Sequence, residues 1–522
     1  MNPWDKYITV ADQGLYFGIS WYSILTMADK KAHAHDQLTG SALHALATSQ
    51  SGVRARYITT TLPYVNSDPH IGFAYEIVNA DALARYWRLM GDEVFFNTGT
   101  DEHGQKIAQK ADEKGESRQA YVDHYAGEFK RLGAALNLSF DAFIRTTDEK
   151  HVAAAQEIWR RCAAQGDIYK KSYSGHYCVG CELFYKPEEL LEGNVCPIHT
   201  TPCQVIEEEN YFFKLSNYQA YLEEYLSREG VIEPEWRRQE ALNFVKAGLE
   251  DFSISREKSR LDWGIPVPDD ENQVMYVWFD ALTNYISTLG WPDESGDFGK
   301  FWRDGEVMQV AGKDQVRFQS IMWQAMLKSA GVKATDKVVY HGFINSGGQK
   351  MSKSLGNVIN PFELVARYGT DATRYLLLRH VHPFDDTDIT WERLDEWYTA
   401  GLVNGLGNLV SRVMKMSETY LEPGVFDDTD VPPVALEDFN LQRGMDEIWS
   451  RIQTLDVTIA ETEPFKLIKT EPEKAKAIVT DLRKTVFAIA VMLRPFLPAT
   501  STVIETAVRA NKKPENLFPR LS

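Results

Sequence analysis

The 40 residues between Tyr57 and Phe96 constrain this chain most. Tyr57-Ile58-Thr59-Thr60-Thr61-Leu62 is a short β-branched run and reads as a strand. Pro63 to Ser67 form a loop, and Asp68-Pro69 offers an N-cap followed by a proline at the first helical position. Apolar residues then recur at Ile71, Ala74, Ile77, Val78, Leu83, Tyr86 and Leu89, which predicts a helix to about Met90. Val94-Phe95-Phe96 is a second strand, closed by Gly99-Thr100-Asp101-Glu102-His103-Gly104. A strand, a helix and a strand joined by short loops begin a parallel α/β sheet of Rossmann type.

The rest of the 522 residues divides around that start. Residues 1–53 show no sustained period and read as an N-terminal extension without a part in the chemistry; Met27 is a possible alternative start. Residues 54–165 hold the first half of the sheet. A stretch over 166–273 interrupts it, and the α/β rhythm resumes over 274–346 with strands expected at Val274–Phe279, Val307–Val310 and Val338–Phe343. A glycine-flanked loop region covers 347–395. Residues 396–522 are nearly all helical, with breaks at Pro423-Gly424 and Pro432-Pro433 and a last long helix from about Glu473 to Leu493.

Charge and cysteine usage narrow the function classes. Lys and Arg number 56 against 74 Asp and Glu, a net charge of −18, which repels polyanions on average. Any RNA contact needs a local basic and aromatic surface. Four of the five cysteines, Cys178, Cys181, Cys196 and Cys203, crowd together, as in a metal site of a reducing compartment rather than a disulfide framework. Cys178-x2-Cys181-x14-Cys196-x2-His199 has the spacing of a tetrahedral zinc knuckle, one Zn2+ per chain, with Cys203 as the rival fourth ligand. Four protein ligands leave no open position, so the metal is structural. Cys162 reads as an inert buried thiol. The chain carries no run of 18 apolar residues and no convincing leader peptide, so a cytoplasmic protein away from membranes is expected.

Two motifs carry the chemistry. Pro69-His70-Ile71-Gly72-Phe73 opens the first helix, where backbone N–H groups and the dipole attract phosphate, His70 can donate to the same phosphate, and Gly72 permits close approach. About 280 residues later, Lys350-Met351-Ser352-Lys353-Ser354 follows Gly347-Gly348. Mobile ammonium groups there can follow charge as a triphosphate is broken. Either motif alone is an ordinary surface feature.

Together they resemble the two-part signature of class I aminoacyl-tRNA synthetases. Within that class the sequence is similar to the methionyl-tRNA synthetase family over roughly residues 54–522. Thr61 to Asn66, Thr98 to Lys106, Asp251 to Arg256, Val277 to Ala281 and Gly312-Lys313-Asp314 carry the resemblance. It implies ATP-dependent activation of L-methionine and transfer to tRNA(Met), with Mg2+ accompanying ATP. It assigns His70, Gly72, Lys350, Ser352, Lys353 and Ser354 to ATP, with His70, Lys350 and Lys353 catalytic. Leu62 and Tyr64 would line the amino-acid pocket and Asp101 would hold the ammonium group. Trp278, Ala281, Leu282 and Tyr285 are further pocket candidates, and Gln319 stands where the family often has a histidine. Asn408 and Arg412, four apart on one helical face, would read the anticodon. Phe465 stands where a tryptophan usually stacks on a base. The knuckle is similar to that of the family's single-knuckle subgroup, whose fourth ligand is also a histidine. A second departure is Phe73, where the motif normally ends in a second histidine that contacts the nucleotide; phenylalanine cannot donate a hydrogen bond. That change raises one alternative, an impaired tRNA-binding paralogue; a second, separate alternative is a nucleotidyltransferase of the same superfamily, against which the helical tail and the zinc insertion argue. The end of the chain soon after the helical region implies a monomer.

Overall fold

The computed structural model describes residues 53–521 except 181–182, 199, 352–357, 429–430 and 437, and of residues 173, 183 and 350 only the backbone. The expected extension over residues 1–53 thus lies outside the described residues but for Val53. Two compact units are distinguished: one contains Ser172–Glu209, the other Arg54–Lys171 with Asn210–Ser522.

The larger unit is built on a parallel sheet. Strand β1 (Ala55–Thr60) leads to helix α1 (Ile71–Leu89) and strand β2 (Glu93–Thr100). Strand β3 (Ala142–Arg145) and helix α2 (Glu149–Ala164) follow, and β4 (Ile168–Cys178) and β5 (Gln204–Phe213) lead into and out of the smaller unit. Strand β6 (Ile232–Glu233), strand β7 (Asp270–Met275), helix α3 (Val277–Ala281), strand β8 (Glu306–Gly312) and strand β9 (Lys337–His341) complete the region. Six of these strands form one sheet in the order β3-β2-β1-β8-β9-β6, and every pairing is parallel. All but the first residue of β1 is buried, as expected of a central strand covered on both faces.

Three expectations are corrected. Helix α1 is capped by His70, not Asp68: His70 has extended backbone (φ −118°, ψ 165°) and its side chain accepts the Phe73 N–H, whereas Asp68 is exposed. The apolar run Val274–Phe279 is not a sheet strand. Its first two residues end β7, which pairs antiparallel outside the main sheet, and the rest opens α3. The stretch 166–273 is not one insertion either. Only Ser172–Glu209 separates as a unit, and Ile232–Glu233 supplies the edge strand of the main sheet.

Beyond the sheet the chain is helical: α4 (Thr370–His380), α5 (Asn408–Tyr420), α6 (Leu441–Thr462), α7 (Pro472–Leu493) and α8 (Pro498–Ala510). The buried faces of α1, α4 and these helices share one hydrophobic core. Among the described residues no helix is long and apolar enough to cross a membrane.

Candidate active site

The site assembles where β1 and β2 end. Val65 N–H donates to Asp101 C=O (3.1 Å) and Asp101 N–H to Pro63 C=O (3.0 Å), so the loop after β1 pairs with the end of β2 and sets Tyr64 opposite Asp101. Thr61 donates its N–H to Glu76 Oε1 at 2.7 Å and its hydroxyl to the same oxygen. The other Glu76 oxygen accepts from His341 Nε2 at 3.0 Å, and His341 Nδ1 donates to Gly342 C=O at 2.8 Å. Burial alone would lower the His341 pKa, but Glu76 and the Gly342 carbonyl raise it above its ordinary value. One carboxylate of α1 thus ties the loop after β1 to the end of β9.

His70 sits at the start of α1. Its Nδ1 accepts the Phe73 N–H at 3.3 Å, which assigns the proton to Nε2 in the neutral ring. A Cβ at Gly72 would stand 3.1 Å from the His70 ring, so this glycine makes room for the imidazole. Ile71 N–H donates to Ile359 C=O at 3.3 Å. The Ile71 and Phe73 N–H groups at the helix start are thus both paired within the chain. Phe73 itself is 6% exposed and packs edge-on against Phe129 at 5.1 Å.

The lysine motif follows a hairpin. Ser346 pairs with Gln349 and Asn345 with Lys350 across Gly347 and Gly348, both at positive φ (62° and 73°), the geometry of a two-residue turn that suits glycine. Gly348 N–H donates to Asp388 Oδ1 at 2.7 Å. Met351 packs against the main core. Ser352, Lys353 and Ser354 lie outside the described residues. The Ile71–Ile359 bond brings a residue that follows this segment to the first residue of the His70 helix.

The aromatic candidates also converge. Tyr64 and Trp278 pack against Tyr276, Val277 and Ala281, and Trp278 stacks on Phe318 at 3.7 Å. Gln319 is fully buried and its amide N–H donates to the Tyr285 hydroxyl at 2.6 Å. Burial drives the Tyr285 phenol well up, so it stays neutral. Leu282 is buried and Leu62 half-buried. The sequence reading missed Phe318 and Arg256. Arg256 is buried, lies 4.2 Å over the Tyr276 ring and donates to Ser253 Oγ and Ser255 C=O. No local pattern flags either residue; the resemblance at Asp251 to Arg256 was the one signal for the arginine.

In the smaller unit Cys178 and Cys196 are buried with Tyr185, and half-buried Cys203 packs on them. Burial, then Cys178 and Cys196, push the Cys203 thiol up to about 11. Cys181 and His199 lie outside the described residues, and among those described no group of three or more His, Cys, Asp and Glu side chains is set to hold a metal. Cys162, in the larger unit, is buried and its thiol is pushed up to about 12, matching an inert role. Farther along, Asn408 is exposed at the start of α5, Arg412 pairs with Asp456 at 2.9 Å, and Phe465 is 43% exposed on a short helix, Pro464–Leu467.

Comparison with known proteins decides the family. The model of class I (M) tRNA synthetases matches residues 56–201 and 185–414. The chain is 39% identical over 481 residues to a methionine–tRNA ligase of Fusobacterium nucleatum, covering 88% of this chain and 75% of that one. It is 40% identical to that of Thermotoga maritima, covering 88% and 76%. The chain belongs to the class I methionyl-tRNA synthetases. Its fold matches the Mycobacterium tuberculosis methionyl-tRNA synthetase in complex with methionyl-adenylate with a TM-score of 0.80 at 36% identity, covering 90% of this chain and 98% of that one. The apo form of that enzyme matches with a TM-score of 0.74 at 32% identity, covering 90% and 99%. A nucleotidyltransferase outside the synthetases is thereby set aside.

Proposed function

We propose that this methionine–tRNA ligase activates L-methionine where the His70 helix and the root of the lysine loop meet. The methionine carboxylate attacks the α-phosphorus of ATP and expels pyrophosphate, giving methionyl-adenylate; the terminal ribose hydroxyl of tRNA(Met) then attacks the adenylate carbonyl, takes the methionyl group and releases AMP. The chain acts by positioning and charge neutralisation. His70 donates from Nε2 to phosphate, Gly72 leaves room for that ring, Ser352 and Ser354 contact ATP, and Lys350 and Lys353 follow the pyrophosphate. Mg2+ bound with ATP would supply further neutralisation of phosphate charge. Leu62, Tyr64, Trp278, Ala281, Leu282 and Tyr285 enclose the methionine side chain, Asp101 takes the ammonium group, and Gln319 fixes the Tyr285 hydroxyl. The bond from Ile71 to Ile359 supports this reading, because it ties the chain just beyond the lysine motif to the start of the His70 helix. The rival is a paralogue impaired at Phe73, a ring buried in the core; methionine-dependent ATP–pyrophosphate exchange separates the two.

Methionine-dependent ATP–pyrophosphate exchange tests the reading. Lys353→Ala should slow exchange by about 10²–10³-fold, the scale of one lost transition-state donor, while methionine binding by equilibrium dialysis holds within about threefold. Equal losses in both would remove Lys353 from the chemistry.

Three finer assignments belong to the same proposal. A structural Zn2+ would be held by Cys178, Cys181, Cys196 and His199, with Cys203 as the rival to His199; soft thiols gathered in one apolar cluster suit that ion. Cys178→Ser should abolish the zinc seen by elemental analysis. Asn408, Arg412 and Phe465 would contact the anticodon, and Arg412→Ala should raise the KM for tRNA without slowing pyrophosphate exchange. The enzyme would act in the cytoplasm as a monomer, measurable by light scattering.

A further inference from the structure

One chain of buried polar side chains joins the two halves of the amino-acid site, and none of its members has a role above. His103 lies two residues after Asp101, and Asp280 two residues after Trp278. Asp280 is wholly buried; one carboxylate oxygen meets His103 Nδ1 at 2.7 Å and the other meets His151 Nε2 at 2.8 Å. His151, equally buried, meets the Ser287 hydroxyl through Nδ1 at 2.9 Å. A carboxylate accepts and cannot donate, so both rings turn an N–H toward Asp280. His103 packs edge-on to Trp263, whose Nε1–H donates to Glu102 C=O at 2.6 Å. Glu102 in turn accepts from Arg145 at 2.7 and 2.9 Å. The segment carrying Asp101 is therefore clamped to the sheet on one side and to Asp280 on the other.

The segment carrying Trp278 and Ala281 has little support of its own. Helix α3 has five residues, too few to hold its shape by backbone bonds alone. Packing would be served as well by apolar side chains, since a buried ionic cluster is seldom the most stable filling for a core. What an apolar filling would lack is direction. One hydrogen bond, His103 to Asp280, joins two segments that lie 177 residues apart, and the bonds of His151 to Asp280 and Ser287 hold that carboxylate in a fixed orientation.

We propose that the His103–Asp280–His151 chain is a positioning device that fixes the Trp278–Ala281 wall relative to Asp101, and so sets the affinity for methionine rather than the rate of adenylate formation. This rests on the reading that Asp101, Trp278 and Ala281 hold the amino acid. His103, Asp280, His151 and Ser287 touch no substrate.

The test is pyrophosphate exchange by the full-length chain, with KM for methionine, KM for ATP and kcat measured separately. His103→Ala should raise the methionine KM about tenfold and leave kcat and the ATP KM within about threefold. His103→Asn, whose amide N–H falls near the position of Nδ1, should bring the methionine KM back to within about threefold of the parent. Equal KM values for the two variants, an unchanged methionine KM, or a fall in kcat as large as the rise in KM would overturn the proposal. Should His103→Ala fail to fold, Ser287→Ala at the outer end decides: a rise of about threefold in methionine KM supports the chain, and no rise overturns it. Trp278→Ala separates the inference from the reading beneath it. If that variant leaves the methionine KM unchanged, the pocket assignment fails; if it raises KM while His103→Ala does not, only the positioning role fails.

Discussion

The two ring nitrogens of His70 do different work. Nδ1 accepts the Phe73 N–H and so supplies the N-cap of α1, which leaves the proton of the neutral ring on Nε2, the donor proposed for phosphate. Capping and phosphate contact can therefore be separated by substitution. Asparagine is a strong N-cap residue but is too short to place a donor where Nε2 stands. His70→Asn should hold the thermal midpoint within about 1 °C, while pyrophosphate exchange falls about 100-fold. A variant that melts early, or one that keeps full activity, would show that the two jobs are not divided this way. The same residue shows what was legible in the chain. His70, Gly72 and the lysine motif stood out as motifs, whereas the cap at His70, the core position of Phe73 and the Asp280 cluster did not. Each of those depends on where a ring points or on a partner more than a hundred residues away, and local spacing holds no record of either.

At the scale of elements, the ends of strands organise the site, as the parallel topology requires. The loop after β1, the end of β2 and the end of β9 are drawn together by Glu76 on α1, which accepts from Thr61 and from His341. His341 donates from both nitrogens, the pattern of an imidazolium, and its pKa is raised. A raised value means that its contribution to stability is complete below the ordinary histidine value of about 6.5 and is lost as pH climbs through the folded-state value. The gap in thermal midpoint between the parent and His341→Gln should accordingly be about 1–3 °C wider at pH 6 than at pH 9. A gap that does not change with pH would mean that His341 is neutral throughout. The elements themselves were read well where the pattern was long: α1 was expected to about Met90 and ends at Leu89, and the last long helix was expected from Glu473 and begins at Pro472. Val274–Phe279 misled because a short apolar run fits a buried strand and a buried helix equally. Here it is the end of one and the start of the other.

In the larger unit, a buried arginine links α1 to the terminal helices. Arg374 on α4 is fully buried, pairs with Asp81 of α1 at 2.7 Å, and donates to the carbonyls of Pro495 and Phe496, the turn between α7 and α8, at 3.1 and 2.8 Å. Burial would raise the Asp81 carboxyl, but Arg374 and Arg85 outweigh it and hold it below the usual carboxylate range. The helix that carries His70 and the bundle that carries Asn408 and Arg412 thus share one ionic node. On the proposed reading, methionine activation uses His70, the amino-acid pocket and the lysine loop, none of which lies in the bundle, whereas charging of tRNA also uses Asn408, Arg412 and Phe465 on the bundle. A lysine keeps the charge at this position but cannot span Asp81 and two carbonyls at once, because its ammonium group is a point donor where guanidinium is a planar fork. Arg374→Lys should therefore lower kcat/KM for tRNA aminoacylation about tenfold and leave methionine-dependent pyrophosphate exchange within about twofold. Equal falls in both rates would make the node a matter of general stability. Unchanged rates would mean that the bundle keeps its place by apolar packing alone, and that the ion pair is carried without effect on how the two ends of the enzyme are set.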